Sequence, residues 1–208
     1  MASSSPRPAQ PLLSAVVPFL NEAANLPRLI TELEQVLSPL GLEWELVLVD
    51  DGSRDDGLAV AKRELQRRPQ LRATLLSLSR NFGKEAALTA GLEAARGDVV
   101  VPLDADLQDP PELIAPMLEQ WRQGFDVVYA VRRRRAGESA TKRLTAFGFY
   151  RLMGRLSSTS IPADTGDFRL MDRCVVDALA QLPERSRFMK GLFAWVGFRQ
   201  TAIHYNRD

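Results

Sequence analysis

Two hydrophobic periods alternate along the chain as far as Val131. Short, nearly continuous apolar runs lie at Leu12–Phe19, Glu45–Val49, Arg72–Ser77, Asp98–Leu103 and Asp126–Val131. Runs of this length, bounded by polar turns, predict buried β-strands. Between them, apolar residues recur three and four apart and predict helices over Ala24–Leu37, Asp55–Arg67, Lys84–Ala95 and Pro111–Gln123. In the first helix Leu26, Leu29, Ile30, Leu33 and Leu37 share a face, and Pro39 and Gly41 end it. In the second, Leu58, Val60, Ala61 and Leu65 point inward. Apolar strands alternating with amphipathic helices predict an α/β fold: a mostly parallel central sheet with helices on both faces.

Such sheets bind ligands beyond the carboxyl ends of their strands. Four polar segments follow strand ends here: Pro18–Glu22, Asp50–Ser53, Ser79–Lys84 and Asp104–Asp109. The topology therefore gathers Glu22, Asp50, Asp51, Asp104 and Asp106 on one rim. Clustered like charges are unfavourable unless a cation joins them. Asp104 and Asp106 are two residues apart, so in extended backbone both point the same way. Two hard oxygen donors at a strand end suit a divalent cation that also holds phosphates. The same stretch also reads as a polar turn before a helix, with Pro110 and Pro111 at the first helical positions.

Composition narrows the field. The chain has 208 residues, 45% hydrophobic and 25% charged, which suits one sizeable globular domain. A net charge of +1 gives no electrostatic case for nucleic acid. One cysteine, Cys174, forbids an intrachain disulfide, and with one histidine, His204, it makes no Cys/His zinc site. Both read as structural. Met1 to Gln10 is rich in Ser, Pro and Ala and reads as a disordered lead-in ending at residue 11. No apolar run approaches the roughly 18 residues of a membrane helix. There is no Gly-x-Gly-x-x-Gly after a strand, no P-loop and no Gly-x-Ser-x-Gly elbow.

After Val131 the alternation stops. Arg132–Arg135 is a basic run, followed over Thr141–Leu156 by Leu144, Phe147, Leu152, Met153 and Leu156 among Lys142, Arg143, Arg151 and Arg155. Large apolar residues beside basic ones suit an interfacial helix, and arginine suits phosphate or anionic lipid. An ordinary core helix preceded by a solvated loop fits the same pattern. Phe188–Phe198 carries the same two readings.

At this point the strand-end segments resemble family 2 glycosyltransferases. The resemblance rests on Val17-Pro18-Phe19-Leu20-Asn21-Glu22, Val49-Asp50-Asp51-Gly52-Ser53, Asp104-Ala105-Asp106 and Asp164-Thr165-Gly166-Asp167-Phe168-Arg169. Three further segments are similar to the polyprenyl-phosphate branch, the dolichol-phosphate mannose synthases and undecaprenyl-phosphate glucosyltransferases. They are Ser79–Glu85, Leu107–Glu112 and Arg187–Leu192. The resemblance implies a GT-A fold over residues 12–208, with a basic, membrane-facing segment at about 132–157. It implies inverting, metal-dependent transfer of a hexose from a nucleotide sugar, UDP-glucose favoured and GDP-mannose next, to a polyprenyl phosphate. Carried over, Pro18, Leu20, Glu22, Val49 and Asp51 line the nucleoside pocket, with Asp51 on the base. Asp104 sits on the ribose side of the donor, beside Ala105. Asp106 and Gln108 hold Mg²⁺ or Mn²⁺. Arg132 lies near the acceptor, and Arg187 and Lys190 counter the leaving diphosphate. Asp167 is the candidate base if the acceptor is a glycan or protein hydroxyl, which stays open beside a catalytically silent nucleotide-sugar-binding module. Relatives in this branch continue into a basic juxtamembrane motif and two membrane helices, so the resemblance implies a catalytic domain cut before them. It also implies a site at the cytoplasmic face of the cell membrane. A homo-oligomer is compatible with all of this.

Overall fold

A computed structural model describes residues 7–132, 165–182, 192 and 196–205, with backbone alone at 132 and 165–167. Among the described residues the strands are β1 Leu13–Phe19, β2 Trp44–Asp50, β3 Arg72–Ser77, β4 Val99–Pro102, β5 Val127–Arg132, β6 Thr165–Asp172 and β7 Gln200–Tyr205. The helices are α1 Leu26–Leu37, α2 Gly57–Gln66, α3 Lys84–Ala94, α4 Ile114–Arg122 and α5 Arg173–Ala180. All strands form one sheet in the order β3-β2-β1-β4-β6-β5-β7. The pairs β1–β2, β1–β4, β2–β3 and β5–β7 are parallel, and β6 runs antiparallel to both its neighbours. The sheet is therefore mostly parallel, as the alternating pattern predicts, with helices on both faces.

The pleat divides the core into two layers. From β1, Leu13, Ala15, Val17 and Phe19 face α1, α2 and α4, where Leu26, Ile30, Val60, Ile114, Met117 and Trp121 close the layer. Val16 faces the other way, toward α3 and α5, with Val47, Val49, Leu88, Leu92, Met171 and Val175. The predicted inner face of α1 is buried at all five positions. Gly91 brings α3 close to the sheet: a Cβ there would lie 2.4 Å from Val16 Cγ1 and 3.1 Å from Val49 Cγ2.

Two strands escape the periodicity, β6 and β7. Polar and charged residues interrupt β6, and its place between β4 and β5 is a long-range pairing that no local pattern carries. The predicted helix at Pro111–Gln123 is a 3₁₀ turn, Pro111–Leu113, leading into α4. At the N-terminus, Arg7 is tied to the sheet: its guanidinium donates to the carbonyls of Trp121 and Phe125 and pairs with Asp126 at 2.9 Å. The Thr141–Leu156 segment, residues 133–135, Asp164, Arg187 and Lys190 lie outside the described residues.

Candidate active site

Three parallel strands, β1, β2 and β4, deliver polar residues to one rim. Hydrogen bonds lock their loops together, and Ala23, Leu103, Ala105 and Leu107 pack on the core beneath. After β1, Asn21 takes a left-handed conformation (φ 57°), donates its amide to Ser53 Oγ at 3.0 Å and accepts from the Arg54 amide at 2.8 Å. Ala23 donates its amide to Asp55 at 3.0 Å. The loops after β1 and β2 thus form one unit.

The loop after β3 is bound to that unit through Asp51. This carboxylate is buried, and its two oxygens accept the Phe82 amide at 2.8 Å and the Gly83 amide at 2.9 Å. Asp50 is buried beside it and accepts from the Ser53 amide at 2.9 Å and the Ser77 hydroxyl at 3.2 Å. Gly52 stands where the two loops touch. Its φ is 70°, and a Cβ would fall 2.4 Å from the Arg80 carbonyl carbon. Both the left-handed backbone and the lack of space require glycine.

β4 ends at Pro102 and releases Leu103-Asp104-Ala105-Asp106 onto the rim. The turn is closed by Leu107 at φ 58° and by the Gln108 amide, which donates to Asp106 Oδ1 at 3.0 Å. Asp104 pairs with Lys84 Nζ at 2.6 Å. Burial, then the charge of Asp104, pushes the Asp109 carboxyl up to about 6.

These loops enclose a cavity of about 300 Å³ lined by Pro18, Phe19, Leu20, Glu22, Asp51, Asn81, Gly83, Lys84, Ala87, Asp104, Ala105 and Asp106. Of the residues singled out in the sequence, Pro18, Leu20, Glu22, Asp51, Asp104, Ala105 and Asp106 come together there. Two do not reach the lining. Val49 is fully buried and packs behind it, in the layer under α3. Gln108 is exposed and meets the site through its backbone amide. Arg132 ends β5 and Asp167 lies on β6, with their side chains outside the described set. Asn81, Lys84 and Asp109 have no individual role in the sequence pattern. Asn81 and Lys84 sit inside a quoted motif, but only the docking of that loop onto Asp51 brings them to Asp104.

The donor set suits a hard divalent cation. Asp104 and Asp106 both line the cavity, and Asp109 adds a third carboxyl beside them. Among the described residues no three His, Cys, Asp or Glu side chains converge to hold a metal by themselves. One or two protein carboxylates completed by phosphate oxygens is the arrangement Mg²⁺ prefers.

Comparison with known proteins places this rim in a family. The model for glycosyl transferase family 2 matches residues 14–179. An uncharacterized glycosyltransferase of Synechocystis is 53% identical over 196 residues, 94% of this chain and 61% of that protein. A bactoprenol glucosyl transferase of Shigella phage SfV is 41% identical over 195 residues, 94% of this chain and 63% of that protein. The chain thus spans under two thirds of the length of these curated relatives. Among solved structures, the mannosyltransferase PcManGT of Pyrobaculum calidifontis, in complex with GDP-Man and Mn²⁺, superposes with a TM-score of 0.70 at 21% identity. That match covers 95% of this chain and 57% of the mannosyltransferase. A sheet of this topology with carboxylates on its carboxyl rim is the GT-A fold of glycosyltransferases. This chain belongs to glycosyl transferase family 2.

Proposed function

We propose that the chain is the donor-binding and catalytic unit of an inverting, metal-dependent hexosyltransferase. It passes a hexose, glucose from UDP-glucose in preference to mannose from GDP-mannose, to a polyprenyl phosphate. The observation that carries this reading is the cavity where Asp51, Asp104 and Asp106 meet Lys84. Support for the lipid acceptor comes from the 41% identity to bactoprenol glucosyl transferases over 94% of the chain.

The chemistry follows from charge. A nucleoside diphosphate leaves poorly until its negative charge is neutralised. Asp106, helped by Gln108, would hold Mg²⁺ or Mn²⁺, which supplies Lewis-acid neutralisation of the diphosphate when bound. Asp104 faces the ribose side. Pro18, Leu20, Glu22 and Ala105 form the nucleoside wall with Asp51, and Val49 supports it from behind. Arg187 and Lys190 add cationic charge around the leaving diphosphate. A lipid phosphate is already anionic at neutral pH and attacks without a strong base, with Arg132 on the acceptor side. A hydroxyl acceptor would need a carboxylate base, and Asp167 would fill that role. Residues 12–208 act as one domain. The basic segment at about 132–157 turns the rim toward anionic lipid at the cytoplasmic face of the cell membrane. Among the described residues no helix is long and apolar enough to cross a membrane.

Ligand binding tests the donor half. UDP or GDP with Mn²⁺ should raise the melting temperature, and Asp106→Asn should remove most of the rise. No shift with any nucleoside diphosphate would sink the reading. Labelled sugar that enters organic solvent only when a polyprenyl phosphate is supplied selects the lipid acceptor. Label on a water-soluble glycan selects the hydroxyl acceptor instead.

A further inference from the structure

Lys84 is electrostatically out of place as a helix residue. It is the first residue of α3, an 11-residue helix entered from Gly83. The N-terminus of a helix carries partial positive charge, so carboxylates are favoured in its first turn and ammonium groups are not. Glu85, next in the chain, follows that rule. Lys84 breaks it and compensates across the cavity, where Nζ meets Asp104 Oδ1 at 2.6 Å. Both side chains are partly exposed, at 46% and 37%, so the pair is not sealed and can exchange partners. A residue that breaks a local rule and is engaged by a carboxylate from another loop is a candidate for a functional role.

The surroundings say what that function is. Asp104 shares its turn with Asp106 and Asp109, and of the three it is Asp104 that pairs with the ammonium. A cation approaching Asp106 must share the field of Asp104 with Lys84, and the two positive charges repel. A diphosphate changes the balance. It would meet the ammonium and the positive end of α3 together, which are the groups that bind phosphate at helix N-termini.

We propose that Lys84 orders ligand binding: its ammonium, held by Asp104, competes electrostatically with a divalent cation at the neighbouring Asp106, and a nucleoside diphosphate relieves the competition by drawing the ammonium to itself. Lys84 therefore suppresses binding of metal alone and strengthens binding of metal and diphosphate together. The inference rests on the donor assignment above, but its first test does not.

The experiment is calorimetric titration of the whole chain in two arms. In the first, Mn²⁺ alone is titrated into wild type, Lys84→Met and Lys84→Arg. Removing a unit positive charge a few ångströms from the site, in a partly solvated setting, should tighten Mn²⁺ by about tenfold in Lys84→Met. Lys84→Arg, which keeps the charge, should stay near wild type. In the second, UDP and GDP are titrated at saturating Mn²⁺, and Lys84→Met should bind about tenfold more weakly than wild type. Unchanged or weaker Mn²⁺ binding by Lys84→Met, with the fold intact by circular dichroism, overturns the inference. Tighter Mn²⁺ with unaltered nucleotide affinity also overturns it, because the ammonium then never passes to the diphosphate. If wild type binds neither nucleotide, the donor assignment fails, while the Mn²⁺ arm still judges the competition between Lys84 and the cation.

Discussion

Asp51 illustrates how much of a site a single residue can hold. The resemblance puts it on the nucleobase, and the geometry gives it a second task, accepting the Phe82 and Gly83 amides. A carboxylate has about four acceptor positions, so both tasks fit. The motif residues of the site were legible because strand ends in an α/β sheet face one rim. Lys84 was not, because its importance comes from a loop crossing that leaves no spacing in the sequence. Cys174 shows the opposite case, a reactive residue type made inert. It follows Asp172 and Arg173 at the start of α5, and its amide donates to Asp172 at 2.9 Å. Burial, then its hydrogen bond to the Asp172 carboxylate, pushes the thiol up to about 12. Only a thiolate reacts, so the folded protein should label with a disulfide reagent at pH 8 about a hundredfold or more slowly than the urea-unfolded chain. Equal rates for the two states would refute the assignment.

At the scale of elements, α1 and α2 are held by a polar knot as well as by leucines. Arg68, just beyond α2, reaches Glu64 at 2.7 Å, Glu34 of α1 at 2.7 Å and Thr31 Oγ1 at 3.0 Å. Glu64 is only 4% exposed despite its charge. Helical spacing found Val60 and Ala61 on the inner face; it had no way to announce a carboxylate buried against an arginine from the next turn. The Arg68 hydrogen bond holds the Glu64 carboxyl below its ordinary value of 4.5, outweighing the upward push of burial. A lowered carboxylate stabilises the fold fully above its ordinary value and loses that contribution as the pH falls through and below it. Glu64→Gln should cost about 2 kcal/mol at pH 7, the loss of a charge-assisted hydrogen bond. The difference from wild type should shrink as the pH is lowered below 4.5. Melting curves across pH 3 to 8 measure it, and a constant gap would mean that Glu64 contributes by packing alone. β6 is the complementary case of an element that periodicity missed. Its central Arg169 is only 5% exposed, so no polar face alternates with an apolar one.

The whole molecule has two rims with separate duties. The carboxyl ends of β1, β2 and β4 carry the cavity. β6 runs the other way, so Asp172 at its end joins the amino ends of its neighbours, where Asp126 precedes β5. Arg7 closes this second rim. It pairs with Asp126 at 2.9 Å and with Asp172 at 3.6 Å, and its guanidinium lies 5.0 Å from the centre of the Trp121 ring. Asp126 also accepts the Arg199 amide at 3.1 Å, and Asp172 accepts the Trp121 indole N–H at 2.7 Å and caps α5. One side chain from the N-terminal lead-in thus joins α4, β5, β6 and β7. Nothing in the Ser/Pro/Ala-rich composition before residue 11 signals this, because a single arginine gains its meaning from partners more than a hundred residues away. Arg7→Ala leaves two carboxylates without their shared cation and should cost about 2 kcal/mol. For a domain of this size that lowers the melting temperature by about 4–8 °C. The cavity lies on the opposite rim, so the stabilisation proposed above for UDP with Mn²⁺ should be the same in Arg7→Ala as in wild type. A melting temperature within about 1 °C of wild type would show that the guanidinium adds nothing net, as many partly solvated ion pairs do. A lost nucleotide response would show instead that the two rims are coupled through the sheet.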